Sequence, residues 1–141
     1  MSREEAMEII LNNMPENTIY SVTTGRATRE LFFLREKRGE TKAHDFLNVG
    51  SMGHASSVAF GIALERLERK VVALDGDSAC MMHMGAMTMV SKLDAPNFMH
   101  IVLNNGAHES ASHGAGTNRT HPLPPKEPAL LSGLEFRVSN L

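Results

Sequence analysis

Four short runs of glycines and small polar residues carry the side chains in this chain that are suited to chemistry. The runs are Thr23-Thr24-Gly25, Gly50-Ser51-Met52-Gly53, Gly76-Asp77-Ser78 and Asn104-Asn105-Gly106. Oxygens such as the Asp77 carboxylate and the Asn105 amide form the hard-oxygen set that Mg²⁺ prefers, often together with phosphate oxygens. Glycines and hydroxyls at helix starts offer N–H and O–H donors to phosphate. The residue types therefore predict a magnesium–diphosphate site.

The elements around these runs must bring them together, and their order along the chain predicts that they do. Strands are predicted over residues 18–22, 46–49, 71–74 and 99–103, and helices over residues 3–13, 27–37, 54–67 and 81–91. Alternating strands and helices predict an α/β fold with a doubly wound parallel sheet. Ligands bind such sheets beyond the carboxyl ends of the strands. All four runs follow a predicted strand, so we expect them at one edge.

Other side chains are assigned to packing or to helix ends. Ser2 with Glu5 three residues later is a capping box that starts the first helix, and Gly39 is expected to close the second. Met7, Ile10, Leu11 and Met14 are expected to face inward. The methionines between residues 81 and 89 fall near helical spacing, which predicts core positions. A packed thiol is expected at Cys80.

Length and composition limit the classes of function. The chain has 141 residues, 42% apolar and 21% charged, and a net charge of −2. These values suit one globular domain and disfavour a nucleic-acid partner, which would call for a basic surface. No apolar run is long enough to span a membrane, and a single cysteine excludes an internal disulfide. We therefore expect a cytoplasmic protein without nucleic-acid or membrane partners.

Longer motifs carry a family resemblance. Gly76-Asp77-Ser78 followed by Asn104-Asn105 resembles the Gly-Asp-Gly…Asn-Asn motif of thiamine-diphosphate enzymes. Residues 50–57 and 103–110, together with Thr23-Thr24-Gly25 and Arg29-Glu30-Leu31, closely resemble the phosphonopyruvate decarboxylases; the sulfopyruvate decarboxylases are similar. The resemblance covers about residues 3–110 and implies a thiamine-diphosphate-binding domain there. Residues 111–141 have no clear period and are expected to be a divergent, loop-rich tail.

The resemblance implies a role for each matching residue. Asp77, the Asn105 side chain and the Ala107 carbonyl would bind Mg²⁺, while Met52 would support the bent cofactor and the Gly50 carbonyl would accept a hydrogen bond from its 4′-amino group. Contacts with the cofactor are also implied for Thr24, Ser51, Gly76, Ser78 and Ala79. Separately from the resemblance, His54 and His108 lie on loops at the predicted active edge and are candidates for acting on the substrate or moving a proton. The implied reaction is decarboxylation of a 2-oxo acid, here phosphonopyruvate to phosphonoacetaldehyde and CO₂.

The sequence departs from the family pattern in two places. Ser78 stands where a second glycine is usual, which would cost about 1 kcal/mol if that position needed a positive φ. After Ser110 the chain leaves the usual motif, which indicates a truncated or divergent C-terminal part. The family's catalytic glutamate, which Glu109 does not replace, is expected to come from a pyrimidine-binding domain outside the matching motifs. The resemblance therefore implies an oligomer that includes a pyrimidine-binding partner chain.

Several alternatives remain open at this stage. The chain could be an inactive remnant or a non-catalytic binding domain, or a sulfopyruvate decarboxylase subunit. Asp75-x-Asp77 after an apolar strand also matches the nucleophile loop of haloacid-dehalogenase-type phosphatases, with Asp75 as nucleophile and Asp77 as acid. A metal site formed by His108, His113 and His121 lacks tight spacing, and exposed loop histidines are expected there instead.

Overall fold

The fold is known from a computed structural model, which describes residues 2–92 and 95–104. The helices are α1 (Arg3–Asn13), α2 (Arg26–Lys37), α3 (Ala55–Glu65), α4 (Asp77–Met82) and α5 (Ala86–Lys92). The strands are β1 (Ile19–Val22), β2 (Asp45–Leu47), β3 (Val71–Gly76) and β4 (Phe98–Leu103). This order is the alternation of strands and helices that the sequence predicts.

The four strands form one parallel sheet in the order β2-β1-β3-β4. From β1 the chain passes through α2 to β2 on one side. It then returns through α3 across β1 to β3 on the other side, and continues outward to β4. The strand order therefore reverses between β1 and β3, and in such sheets ligands bind at the carboxyl end of that switch point.

Helices cover both faces of the sheet, which confirms the doubly wound fold class. On one face, Met7 of α1 and Leu31 of α2 pack with Val72 and Leu74 of β3. On the other face, α3 and α5 pack against Val71, Ala73 and Phe98. The apolar run of β3 is fully buried, as expected for a parallel strand covered on both sides. Each such buried aliphatic side chain stabilises the fold by about 1.5–3 kcal/mol.

The first two helices begin and end as their local sequence predicts. The Ser2 hydroxyl accepts a hydrogen bond from the Glu5 amide at 3.1 Å, and the Ser2 amide donates to Glu5 Oε2 at 2.8 Å. This capping box is confirmed. Gly39, with φ at 63°, follows the end of α2, where a residue without Cβ adopts this conformation at little cost.

The prediction of one helix over residues 81–91 is wrong. Helix α4 begins directly after β3, at Asp77, and α5 begins at Ala86, with Gly85 between them. Only Ala79 of α4 and Val90 of α5 are buried. The methionines predicted as core are 57% to 72% exposed in four cases: Met81, Met82, Met84 and Met89. Their spacing matches one continuous helix, but the break removes the shared face that would have buried them.

The amino-terminal edge of the sheet is held by paired charges. Arg35 donates to both oxygens of Asp45, at 3.0 and 3.1 Å, and to Glu40 at 2.5 Å. Burial opposes ionisation of Glu40, but hydrogen bonds from Arg35 and Arg38 outweigh it and lower the pKa of this carboxyl. A cavity of about 570 Å³ is lined by Arg35, Arg38 and Glu40 together with Tyr20. Because its charges neutralise one another and it lies opposite the switch point, we assign it no ligand.

Candidate functional site

The switch point is flanked by two of the four runs that the sequence singled out. The Thr23 amide donates to the Leu74 carbonyl at 2.8 Å, so the ends of β1 and β3 are joined where the chain diverges. Thr24 follows on one side and is half-buried. Gly76 ends β3 on the other side, and Asp77 begins α4. The parallel topology thus brings Thr24, Gly76 and Asp77 to one edge, as predicted.

Asp77 lies at the start of a helix with its carboxylate partly exposed. Its Oδ1 accepts hydrogen bonds from the Ser78 amide at 2.6 Å and the Ser78 hydroxyl at 3.3 Å. Ser78 is part of α4, and Ser51, at 54°, is the one non-glycine residue with positive φ in the described part of the chain. Serine in place of glycine at position 78 therefore imposes no left-handed strain.

Glycines leave open space around this edge. A Cβ built on Gly25, Gly50 or Gly76 would meet no atom within 4 Å. Gly25 also has φ at 103°, a conformation that side chains disfavour. Backbone N–H groups beside such gaps can approach a diphosphate closely. The residues present at the switch point thus fit an anionic ligand held by a hard cation.

The loop from β2 to α3 is pressed against α4. A Cβ on Gly53, whose φ is 89°, would lie 2.7 Å from both the Ala79 carbonyl oxygen and His83 Nδ1. The rings of His54 and His83 are 3.9 Å apart between centroids. Met52 is half-buried beside them, while Gly50, Ser51 and His54 are exposed. The predicted cofactor-supporting loop therefore packs directly on the helix that starts with Asp77.

Two residues that the sequence analysis missed join the first two loops. The Thr28 hydroxyl lies 2.7 Å from the Thr23 carbonyl and 3.3 Å from the Asn48 carbonyl. The Asn48 side chain donates to the Val22 carbonyl at 2.7 Å. Each has a weak signal in the sequence, because a threonine in the first turn of a helix and an asparagine after a strand commonly bond to nearby backbone.

Asp75 is unsuited to act as a nucleophile. It is 0% exposed, and its Oδ2 lies 3.3 Å from Nε2 of His100, which is itself buried. A phosphatase nucleophile must reach its substrate, so the haloacid-dehalogenase alternative is wrong. Burial raises the pKa of the nearby Cys80 thiol, and the Asp75 charge adds to this effect. Cys80 is partly buried and stays protonated at neutral pH, which agrees with a packing role.

The remaining predicted site residues, Asn105, Ala107 and His108, lie outside the described residues, as do His113 and His121. The proposed metal ligands beyond Asp77 therefore stay predictions. Within residues 2–92 and 95–104, no three histidine, cysteine or acidic side chains are grouped to hold a metal ion. Across the same residues, no helix has both the length and the hydropathy needed to cross a membrane.

Known proteins are similar to this chain in sequence. Residues 23–127 match the family model of the thiamine pyrophosphate enzyme C-terminal TPP binding domain, so the match runs beyond residue 110. The chain is 33% identical over 137 residues to a phosphonopyruvate decarboxylase of Streptomyces viridochromogenes, covering 97% of the chain and 32% of that protein. It is 29% identical over 119 residues to a sulfopyruvate decarboxylase subunit beta of Methanocaldococcus jannaschii, covering 84% and 58%. The chain thus spans about a third of the first relative and over half of the second.

Proposed function

The chain belongs to the thiamine pyrophosphate enzymes, whose C-terminal TPP binding domain it carries, and we propose that its carboxyl edge binds thiamine diphosphate and Mg²⁺. The observation that carries this proposal is the position of Thr24, Gly76 and Asp77 around the switch point between β1 and β3. A parallel sheet binds its ligand at that point. The glycines there leave open space beside backbone N–H groups, which are suitable donors to a diphosphate.

Each proposed contact has a physical reason. Asp77 would hold Mg²⁺ through a carboxylate oxygen, completed by the Asn105 amide and the Ala107 carbonyl. The amides of Gly76 and Ser78 would donate to the diphosphate. The Ala79 amide, the Thr24 hydroxyl and the Ser51 loop would donate as well. These donors come from loops that the Gly53 contact and the Thr28 hydrogen bonds hold in fixed positions.

Decarboxylation needs further groups at this edge. When bound, thiamine diphosphate supplies a thiazolium that accepts the electron pair left by CO₂. In this proposal the Gly50 carbonyl accepts a hydrogen bond from the aminopyrimidine, and Met52 supports the ring that would otherwise swing away. His54 is exposed at the start of α3, where it can bind substrate or transfer a proton, and His108 is proposed for the same task.

The proposed substrate is a 2-oxo acid, with phosphonopyruvate first and phosphonoacetaldehyde as its product. Similarity to a phosphonopyruvate decarboxylase over 97% of the chain supports it. The second candidate is sulfopyruvate, favoured by the similarity to a sulfopyruvate decarboxylase subunit beta, of which the chain covers 58%. In either case a pyrimidine-binding partner chain would supply the catalytic glutamate, and the active unit would be an oligomer.

Calorimetric titration with thiamine diphosphate and Mg²⁺ tests the site. The Asp77→Ala variant should lose roughly 100-fold or more in magnesium-dependent affinity, since even outer-shell changes at metal sites cost 10- to 100-fold. Glu68→Gln is the control, because it changes an exposed acidic side chain, 64% accessible, next to Arg66 rather than at the switch point. Its affinity should match that of the original chain.

Titration of the unmodified chain, alone and with a pyrimidine-binding chain, decides between the enzyme and the inactive remnant. Binding in neither case would contradict the proposal. Retained magnesium-dependent affinity in Asp77→Ala would show that the ligand assignment is wrong. With the partner present, release of CO₂ from phosphonopyruvate, sulfopyruvate and pyruvate, compared in parallel, would identify the substrate.

A further inference from the structure

A buried acid–imidazole pair lies directly behind the turn that carries Asp77. The Asp75 and His100 side chains are 0% and 1% exposed, and their closest atoms, Oδ2 and Nε2, are 3.3 Å apart. Residues Asp75 and Val102 are partners in the β3–β4 register, as are Ala73 and His100. The pair therefore bridges the two strands diagonally on the face that α3 covers. Asp75 Oδ2 and His100 Nε2 are within hydrogen-bond distance of each other.

Burying this pair costs free energy that packing alone does not require. Within the described residues, Asp75 Oδ1 and His100 Nδ1 have no hydrogen-bond partner. The same face holds Val71, Ala73 and Phe98, which are apolar. A buried ion or hydrogen-bond pair with unmatched atoms is commonly no more stable than apolar side chains of similar volume. Stability therefore does not account for the pair.

The position of the pair in the chain indicates what it contributes instead. Asp75 is the last residue of β3 before Gly76, and Gly76 has no side chain and open space where a Cβ would be. Gly76 is extended, with φ at −100° and ψ at 159°, and is the last residue of β3, so the chain passes from the strand into α4 at this residue. Asp77 follows directly. Fixing the Asp75 side chain to β4 thus sets the direction of the backbone as it enters α4.

We propose that Asp75 and His100 are positioning residues that hold the Gly76–Ser78 turn, and with it Asp77, in the orientation needed for the magnesium–diphosphate group. The inference rests on the proposed function for the ligand, but the effect on the turn is a property of the protein alone. Neither residue touches the ligand. They act through the backbone that joins Asp75 to Asp77.

The decisive variant removes both polar groups together: Asp75→Leu/His100→Phe in the full chain. Replacing a buried pair with apolar side chains is expected to leave thermal stability equal or higher. Amide hydrogen exchange of residues 76–79, measured by mass spectrometry without ligand, should nevertheless become about 10-fold faster as the turn opens locally. The separate variant His100→Gln retains Asp75 and keeps an amide that can form a hydrogen bond with it. Exchange at residues 76–79 should therefore stay slow in this variant.

Asn97→Ala, directly before β4, is the matched control. The Asn97 side chain donates to the carbonyls of Ala63, Arg66 and Arg69 at the opposite edge of the sheet. Its loss should lower the melting temperature while exchange at residues 76–79 stays as slow as in the original chain. The double variant should instead keep its melting temperature and show faster exchange at residues 76–79. A residue with only a structural role would not produce that reversal.

Affinity for thiamine diphosphate with Mg²⁺, measured on the same proteins, connects the turn to the ligand. We expect a loss of about 10-fold in the double variant, the range seen when groups behind metal ligands are changed, and recovery in His100→Gln. Unchanged exchange at residues 76–79 in the double variant overturns the inference, whatever the affinity. Faster exchange in a protein whose original form binds no thiamine diphosphate supports the positioning role and contradicts the proposed function instead.

Discussion

The two edges of the sheet differ in their ion pairs and in their backbone conformation. At the amino edge, Arg35 is bonded to Asp45 and Glu40, and the Asn97 amide donates to three carbonyls. Buried oxygens without a partner among the described residues occur at both edges: Thr18 Oγ1 and Asn97 Oδ1 at the amino edge, Thr23 Oγ1 and Asp75 Oδ1 at the carboxyl edge. Ser51 at the carboxyl edge adopts a positive φ of 54°.

This difference separates the part of the fold that provides stability from the part available for chemistry. Paired charges such as Arg35 and Asp45 stabilise the amino edge, whereas left-handed backbone such as that of Ser51 raises the free energy of the folded state by about 1–3 kcal/mol. Local departures from stable geometry tend to gather at functional sites. The comparison predicts that changes at the amino edge act mainly on global unfolding, and that changes at the carboxyl edge act mainly on local order and ligand affinity.

The largest expected effect on stability is at the amino edge. Arg35→Met leaves the Asp45 carboxylate, 1% exposed, without its buried guanidinium, which should lower the free energy of unfolding by about 3–5 kcal/mol. Urea denaturation monitored by circular dichroism measures this change. Arg38→Met is the control, because Arg38 is more exposed and bonds only to Glu40 among the described ion pairs; its loss should cost about 1 kcal/mol or less. Equal losses of stability in the two variants would contradict the stabilising role of the buried Arg35–Asp45 pair at the amino edge.

The next largest effect is a loss of stability at alkaline pH. Burial raises the pKa of Tyr20 to about 12, and Asp45 adds to this while Arg35 opposes it. Because the folded pKa lies above the unfolded value near 10, the unfolded chain loses this proton first. Stability should therefore fall by about 2–3 kcal/mol as pH rises from 10 to 12. The pH dependence of urea denaturation measures it, and Tyr20→Phe should lack that part of the fall. Identical slopes in both proteins would contradict the expectation.

Much of the fold follows from local sequence patterns. The capping box of Ser2 and the buried run of β3 depend on neighbours within a few residues, and both were predicted. The break between α4 and α5 was not, because it depends on where the turn after β3 lets the chain begin a helix. The exposed methionines are a consequence of that break. The Asp75–His100 pair also requires the β3–β4 register, which no short motif encodes.

The candidate site was predictable where topology alone places its residues. Thr24, Gly76 and Asp77 meet because parallel strands present their carboxyl ends at one edge, so the order of the strands is enough. The contact of Gly53 with Ala79 and His83 was not foreseen, since it depends on how two loops pack. For Asn105, Ala107 and His108 the prediction stands without a structural test.

The smallest expected effects on stability come from two glycine-to-alanine replacements. Their comparison is also the sharpest test of the carboxyl edge. At Gly61, on the exposed side of α3, a Cβ meets nothing within 4 Å, so Gly61→Ala should stabilise the chain by up to about 1 kcal/mol. At Gly53 the new Cβ would meet the Ala79 carbonyl oxygen and His83 at 2.7 Å, with φ at 89°. Gly53→Ala should therefore cost about 1–2 kcal/mol, because the surface loop can move away from α4.

Local movement of the Gly53 loop is the behaviour expected at the carboxyl edge and not at the amino edge. If the loop yields locally in Gly53→Ala, hydrogen exchange should accelerate at residues 50–54 and 77–83 while α1 and α2 keep their protection, and affinity for thiamine diphosphate should fall more than stability does. Gly61→Ala should change neither exchange nor affinity at the edge. A uniform rise in exchange through both helices of the α1–α2 face would mean that the loop contact supports the whole fold. The carboxyl edge would then share the stabilising task assigned here to Arg35 and Asn97.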